Sequence, residues 1–189
     1  VPLVMCGLAV AISFRAGMFN IGVDGQIIMG SLGALIVGTQ IDLPPFLHGM
    51  VAILVGALFG GLWGALVGYL KASKGISEVV TSIMLNFIAL YFSQLVINQF
   101  MLQEGTQRSQ MIKDSASIQI SWLSNFADGA RIHWGFIIVI LALIFYQVYL
   151  NKTKWGYELR TVGHNPHAAN YAGMNVSRVI VRTMFISGM

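Results

Sequence analysis

Residues 47–70 read LHGMVAILVGALFGGLWGALVGYL, and this stretch contains no Asp, Glu, Lys or Arg. A helix needs about 20 mostly apolar residues to cross the hydrocarbon core of a bilayer. Residues 79–102 form a second uncharged run of comparable length. Because both runs are long enough to span a membrane, the sequence predicts an all-α fold, a polytopic transmembrane helical bundle.

The composition of the 189-residue chain agrees with a membrane location, since 56% of its residues are hydrophobic and 10% are charged. Soluble proteins are about one quarter charged. The composition therefore excludes a soluble globular domain, a disordered segment and a nucleic-acid-binding module. The single cysteine, Cys6, excludes a disulfide framework and a thiolate metal site.

Shorter apolar runs complete the predicted bundle. Residues 25–41 and 133–150 are predicted as whole spans. Residues 1–14 are predicted as the end of one span, and residues 183–189 as the beginning of another. Because the sequence begins and ends inside apolar runs, we expect residues 1–189 to form one transmembrane domain that is truncated at both ends.

The basic residues predict the orientation of the bundle, because Lys and Arg are retained on the cytoplasmic side. Residues 71–78 and 151–182 carry an excess of Lys and Arg, whereas residues 42–46 have none and residues 103–133 have a net charge of zero. This alternation along the chain predicts that the two basic loops are cytoplasmic. The formal net charge of +4 then reflects membrane orientation and not an acidic partner.

The longest apolar run carries four glycines at a spacing of four residues, which places them on one helix face: Gly56, Gly60, Gly64 and Gly68. Small residues at this spacing let neighbouring helices approach closely in a membrane. The sequence is compatible with a face that packs statically and with a face that slides against its neighbour.

Polar residues at membrane depth are candidates for function, because they are expensive in lipid. Residues 19–26 read FNIGVDGQ, and we consider Asn20, Asp24 and Gln26 candidates for a translocation path. A broken or re-entrant segment here would face a polar solute. The alternative is a turn at the membrane surface, with Asn20 or Asp24 capping the next helix.

Ser82 and Asn86 form a second polar group, since residues four apart share one face of a helix. This face is predicted to line the interior of the bundle. The sequence leaves open whether these side chains contact a solute or only a neighbouring helix.

The chain lacks the motifs of the enzyme classes that we considered. It contains no P-loop, no His-Glu-x-x-His sequence, no cysteine pair and no nucleophile elbow. We therefore expect no catalytic site, no metal site and no cofactor.

The basic loop at residues 151–182 contains a predicted short helix, with Asn165 as its N-cap, Pro166 at its first position and Gly173 at its end. Three alanines give this helix a small, flat surface: Ala168, Ala169 and Ala172. Such a helix suits docking in the groove of another protein. The alternative is an ordinary linker at the membrane surface.

Residues 156–174 resemble the coupling-helix region of permease subunits of bacterial ABC importers, in the branched-chain amino acid, simple sugar and nucleoside permease family. Residues 19–26 are similar to the family motif Phe-Asn-Ile-Gly-x-Glu-Gly-Gln, with Asp24 where Glu is more usual. The segments that most resemble the nucleoside branch are residues 61–64, 70–72, 78–86 and 163–169.

This resemblance implies a permease subunit of a multi-pass importer in the bacterial plasma membrane. Its partners would be cytoplasmic ABC ATPases, a second homologous permease, an extracellular solute-binding lipoprotein and membrane lipid, with no nucleic acid. The solute would be a nucleoside, with a simple sugar second and branched-chain amino acids third. A carrier or channel that works alone is the alternative from a different class.

The resemblance also implies that ATP is hydrolysed by the partner and that the ATPases dock on residues 163–173. The residues that would carry the coupling are Gly163, His164, Asn165, Pro166, Ala168, Ala169, Ala172 and Gly173.

Overall fold

The computed structural model describes residues 1–41, 44–100 and 135–189, and within these ranges the chain is helical and has no strand. The predicted loop at residues 103–133 and part of the turn at residues 42–46 lie outside the described residues. The helices are α1 (Pro2–Arg15), α2 (Val23–Gln40), α3 (Pro45–Lys74), α4 (Glu78–Phe100), α5 (Gly135–Lys152), α6 (Lys154–His164), α7 (Pro166–Tyr171) and α8 (Val176–Gly188).

Three of the described helices are long and apolar enough to cross a membrane, namely α3, α4 and α5. The predicted all-α membrane fold is therefore confirmed. α2 is not among the three helices. It has 18 residues and carries Asp24 and Gln26 near its start and Thr39 and Gln40 at its end.

Two helices of the basic loop differ from the sequence-based expectation. α8 begins at Val176, seven residues before the predicted start at residue 183, and the side chain of Asn175 accepts a hydrogen bond from the backbone N–H of Arg178 at 3.0 Å. α6 was not predicted. Both helices are amphipathic, so a search for uncharged apolar runs does not find them.

One end of the bundle carries every Lys and Arg among the described residues, and we call it the basic end. Here α6 packs against α1, and both α6 and α7 pack against α8. Leu159 of α6, Ala169 of α7 and Met184 of α8 have no exposed surface in this core. The loop is therefore a packed part of the bundle.

Two glycines of α3 bring its backbone into contact with the backbone of α8. A Cβ atom added to Gly60 would overlap the carbonyl oxygen of Gly188. One added to Gly64 would overlap the carbonyl oxygen of Met184. The two helices can therefore approach this closely only because neither glycine has a side chain.

The other two glycines of the series extend this contact in both directions. A Cβ atom on Gly56 would stand 3.0 Å from the carbonyl oxygen of Gly30 in α2, and one on Gly68 would stand 3.0 Å from Cα of Val181 in α8. All four glycines of this face of α3 are therefore packed against α2 or α8.

Replacing Gly64 with alanine should weaken the fold. The added Cβ atom would overlap the Met184 carbonyl oxygen and would stand 3.0 Å from Nε2 of Gln26. Overpacking of this kind costs about 1–3 kcal/mol. Chemical unfolding of the detergent-purified protein would measure the loss in the free energy of unfolding.

The matched control is Gly7→Ala in α1, since a Cβ atom at Gly7 has no neighbouring atom within 4 Å. We expect no loss there, because alanine favours a helix over glycine by about 1 kcal/mol. An equal loss in both variants would contradict the packing role of Gly64.

Candidate functional site

Asn20 is the centre of a buried polar network between α1, α2 and α8. Its side chain is 3% exposed. Its Oδ1 atom accepts a hydrogen bond from the N–H of Gly22 at 2.9 Å, and its Nδ2 atom donates to Oγ of Ser187 at 2.8 Å. The side chains of Asn20 and Gln26 also face each other, with two longer hydrogen bonds of 3.4 Å. Two of the predicted path residues therefore lie together.

Two serines, Ser13 and Ser187, complete the network, and the sequence analysis singled out neither of them. Oγ of Ser13 donates to Oγ of Ser187 at 3.0 Å, and Oγ of Ser187 donates to the carbonyl oxygen of Ala9 at 2.8 Å. Ser187 thus accepts two hydrogen bonds and donates one, which is the full hydrogen-bonding capacity of a hydroxyl group. A single hydroxyl in an apolar run has no local signature, and these serines are 174 residues apart.

A cavity of about 360 Å³ adjoins this network between α1, α2, α3 and α8. Most of its lining is apolar, and Gln26, Ser31 and Ser187 contribute polar side chains to it. Small-molecule sites combine an apolar lining with a few placed polar groups. The network therefore borders a space in which a polar molecule could be oriented.

Asn86 connects α4 to the start of α2. Its Oδ1 atom accepts a hydrogen bond from the N–H of Gly25 at 2.9 Å, and its Nδ2 atom donates to the carbonyl oxygen of Ile21 at 3.0 Å. The first N–H groups of a helix lack partners within that helix. Asn86 therefore satisfies one of them from a neighbouring helix.

The predicted capping of α2 by Asn20 or Asp24 is wrong. The N-cap is Gly22, which has no side chain that could bond to the helix. Asn20 bonds to Gly22 itself, whereas Asp24 lies exposed in the first turn. Asp24 therefore stands apart from the buried network, at the positive end of the helix dipole.

Ser82 and Trp63 bring two unsatisfied polar atoms to the same region. Oγ of Ser82 and Nε1 of Trp63 are buried and have no hydrogen-bond partner among the described residues. Oγ of Ser82 is 3.2 Å from the position of a Cβ atom on Gly22, and Nε1 of Trp63 is 3.1 Å from that on Gly25. Buried polar atoms are normally paired, so a water or a polar solute would find two open partners here.

The short helix α7 has the ends that the sequence predicted. Oδ1 of Asn165 accepts hydrogen bonds from the N–H groups of His167 and Ala168 at 3.0 and 3.1 Å. Pro166 is the first residue of the helix, and Gly173 follows its end with a φ of 80°. A left-handed residue at this position favours glycine.

The three alanines of this segment do not form one outward surface. Ala168 and Ala172 are exposed, but Ala169 has no exposed surface and packs in the core of the basic end. Tyr171 is 94% exposed. The outward side of α7 therefore combines the two alanines with an aromatic ring that the sequence analysis did not single out.

Gly163, at the end of α6, joins α7 to the segment that carries Asn20. A Cβ atom on Gly163 would overlap the carbonyl oxygen of Arg15. Gly17 adopts a φ of 72°, and a Cβ atom there would stand 3.2 Å from the carbonyl oxygen of Gly163. The polar network therefore lies a few residues from a direct backbone contact with the basic loop.

Among the described residues, two ion pairs connect helices at the basic end. Nζ of Lys71 lies 2.6 Å from Oε2 of Glu78, between the end of α3 and the start of α4. Nη2 of Arg182 lies 2.7 Å from Oε2 of Glu158, and its guanidinium group stands 5.0 Å from the ring centroid of Trp155. The ion pairs therefore give Glu78 and Glu158 structural partners.

Comparison with known proteins identifies the family. Residues 1–189 match the family model described as branched-chain amino acid transport system / permease component. The chain is 42% identical over 187 residues to the guanosine ABC transporter permease protein NupP of Bacillus subtilis, which covers 99% of this chain and 53% of that protein. It is 33% identical over 193 residues to the nucleoside ABC transporter permease protein NupB of Lactococcus lactis, with the same two coverages of 99% and 53%.

A third relative is a glucose ABC transporter permease protein of Haloferax volcanii, which is 30% identical over 198 residues and is covered to 51% of its length. The comparison with solved structures found no match. The chain spans about half the length of these curated relatives. Because the family model covers every residue, the resemblance that the motifs indicated is confirmed, and the chain belongs to the family of branched-chain amino acid transport system permease components.

Proposed function

We propose that this chain is part of the permease subunit of an ATP-driven importer that moves nucleosides across the bacterial plasma membrane. The observation that carries the proposal is the similarity to two permeases named for guanosine and nucleoside transport, at 42% and 33% identity over nearly the whole chain. The chain itself would form the membrane path. A partner ATPase would hydrolyse ATP, and a second permease and an extracellular binding lipoprotein would complete the importer.

The polar groups of the bundle suit a neutral, polar solute. Gln26 lines the cavity and offers both donors and acceptors without a net charge, since its hydrogen bonds to Asn20 are long, at 3.4 Å. Nucleosides carry hydroxyl, carbonyl and amino groups that such side chains bind weakly. We propose that the solute passes the cavity beside Gln26. Oγ of Ser82 and Nε1 of Trp63 do not line this cavity, and we propose that they bind the solute or a water near Gly22 and Gly25.

A sugar is the second candidate solute, because the chain is also similar to a glucose permease. Sugars are neutral and polar as well, so the same amides and hydroxyls serve either class. An isolated carrier remains the alternative from another class, and it predicts transport without an ATPase.

Coupling to ATP hydrolysis would enter through α7. We propose that the basic end faces the cytoplasm and that the ATPase contacts Ala168, Tyr171 and Ala172. A displacement of α7 would reach α6 through buried Ala169, and then the residues before Asn20 through the contact between Gly163 and Arg15. The buried network would thus sense the state of the ATPase.

Uptake of labelled nucleosides tests the proposed solute. Cells that lack the gene should lose nucleoside uptake, and unlabelled nucleosides should compete where sugars and branched-chain amino acids do not. Loss of sugar uptake with unchanged nucleoside uptake would overturn the proposed solute and leave the importer architecture intact.

Asn86→Leu should lower the stability of the transporter, because the N–H of Gly25 and the carbonyl oxygen of Ile21 would lose their partner. Each buried group left unsatisfied costs about 1–3 kcal/mol. Asn98→Leu is the control, since Asn98 is an exposed amide of the same helix. Thermal unfolding in detergent should separate the two variants. Normal stability with reduced uptake for Asn86→Leu would instead assign Asn86 to the solute path.

Ala168→Arg should weaken ATPase binding or abolish solute-stimulated ATP hydrolysis, because a long charged side chain would stand on the outward side of α7. Copurification and ATPase assays of the intact complex would measure both effects. Asn151→Arg adds the same charge at an exposed position at the end of α5 and should change neither. Normal stimulated hydrolysis in Ala168→Arg would contradict the docking role. Ala169→Arg is unsuitable as a test, because Ala169 is buried and its replacement would disrupt the core.

A further inference from the structure

A cleft of about 600 Å³ lies between the second half of α3 and residues 177–185 of α8, and no residue of the polar network lines it. Its walls change in character along its length. Toward the middle of the bundle they are formed by Ala65, Val181 and Phe185, and at the basic end by Ser73, Ser177 and Arg178. The cleft therefore has an apolar interior and a polar, basic mouth.

The mouth of this cleft carries an excess of positive charge. Arg178 is exposed and makes no side-chain ion pair within the part of the chain that the structure describes. Arg182 also lines the cleft and is paired with Glu158, so the three groups sum to one positive charge. The first turn of α8, which contains Ser177 and Arg178, adds the positive end of a helix dipole.

Tyr69 adds an aromatic ring to the wall of the cleft. It is 60% exposed. Tyrosines are enriched where a membrane protein meets the boundary between the hydrocarbon core and the headgroups. The order of groups along the cleft thus follows the order of groups across one leaflet of a bilayer.

We propose that this cleft binds an anionic phospholipid. Its phosphate would lie at Arg178 and the start of α8, and an acyl chain would lie along Ala65, Val181 and Phe185. Guanidinium groups bind phosphate through paired hydrogen bonds, and basic pockets between helices at the cytoplasmic surface select anionic headgroups. The excess charge at the mouth favours a lipid with a net negative charge over a zwitterionic one. The proposed site rests on the proposed cytoplasmic position of the basic end, and it does not depend on the solute that the importer carries.

Native mass spectrometry of the intact transporter complex in a neutral detergent tests this site. The complex is mixed with phosphatidylglycerol or with phosphatidylcholine, and the retained lipid is counted. We expect retention of phosphatidylglycerol above that of phosphatidylcholine. Arg178→Gln should reduce it about fivefold, the factor that corresponds to about 1 kcal/mol for one basic residue at a membrane surface.

Two matched controls separate a specific site from general attraction. Arg15→Gln removes the same charge from an exposed position at the basic end outside the cleft, and it should leave retention unchanged. Ala65→Phe should fill the apolar interior and reduce retention, whereas Leu66→Phe enlarges the neighbouring exposed residue and should not. If Ala65→Phe fails to assemble, the comparison of Arg178→Gln with Arg15→Gln decides alone.

Several results would overturn the proposal. Equal retention of the two lipids would show that charge does not select the occupant, and an equal effect of Arg15→Gln would show diffuse attraction. Displacement of the lipid by inorganic phosphate at millimolar concentration would assign the mouth to a free anion. Absence of any retained lipid in the unchanged complex would mean that another part of the assembly fills the cleft.

Discussion

Direct backbone contact between α3 and its neighbours α2 and α8 sets the architecture of this bundle. In lipid, helices gain little from hiding apolar surface from one another, so close packing must hold them together. Gly60 and Gly64 provide the closest approach, since any side chain there would overlap a carbonyl oxygen of α8. That approach also brings Gln26 of α2 and Ser187 of α8 to the same cavity beside α3.

The contact between helices determines where polar groups can be tolerated. Asn20, Gln26, Ser13 and Ser187 are almost fully buried, and each has its hydrogen bonds supplied by another element. Unpaired polar groups in this setting would cost several kcal/mol each in hydrocarbon, so the network is stable only while the helices stay packed. A motion that separates α8 from α1 would therefore open the network.

Local signals in the sequence predicted several features well. The apolar runs predicted the helical membrane fold, and the spacing of glycines predicted the packed face of α3. The ends of α7 were also predictable, because Asn165, Pro166 and Gly173 act within a few residues of their own position. By contrast, the start of α8 and the whole of α6 were missed, since charged residues such as Glu158, Arg178 and Arg182 interrupt their apolar runs. Only packing, of α6 against α1 and of α8 against α3, makes them part of the bundle.

The sequence by itself determined the class of fold, the helix-packing stripe and the family, because apolar length, residue spacing and motif order are properties of the linear chain. Tertiary structure alone decided the partner of each polar group. Asn86, and not Asn20 or Asp24, accepts a hydrogen bond from a backbone N–H group in the first turn of α2. Ser13 bonds to Ser187, which lies 174 residues away in the sequence. It also decided that Ala169 is buried while Ala168 and Tyr171 face outward. These outcomes depend on how helices that are distant in sequence approach one another, and no local pattern records that approach.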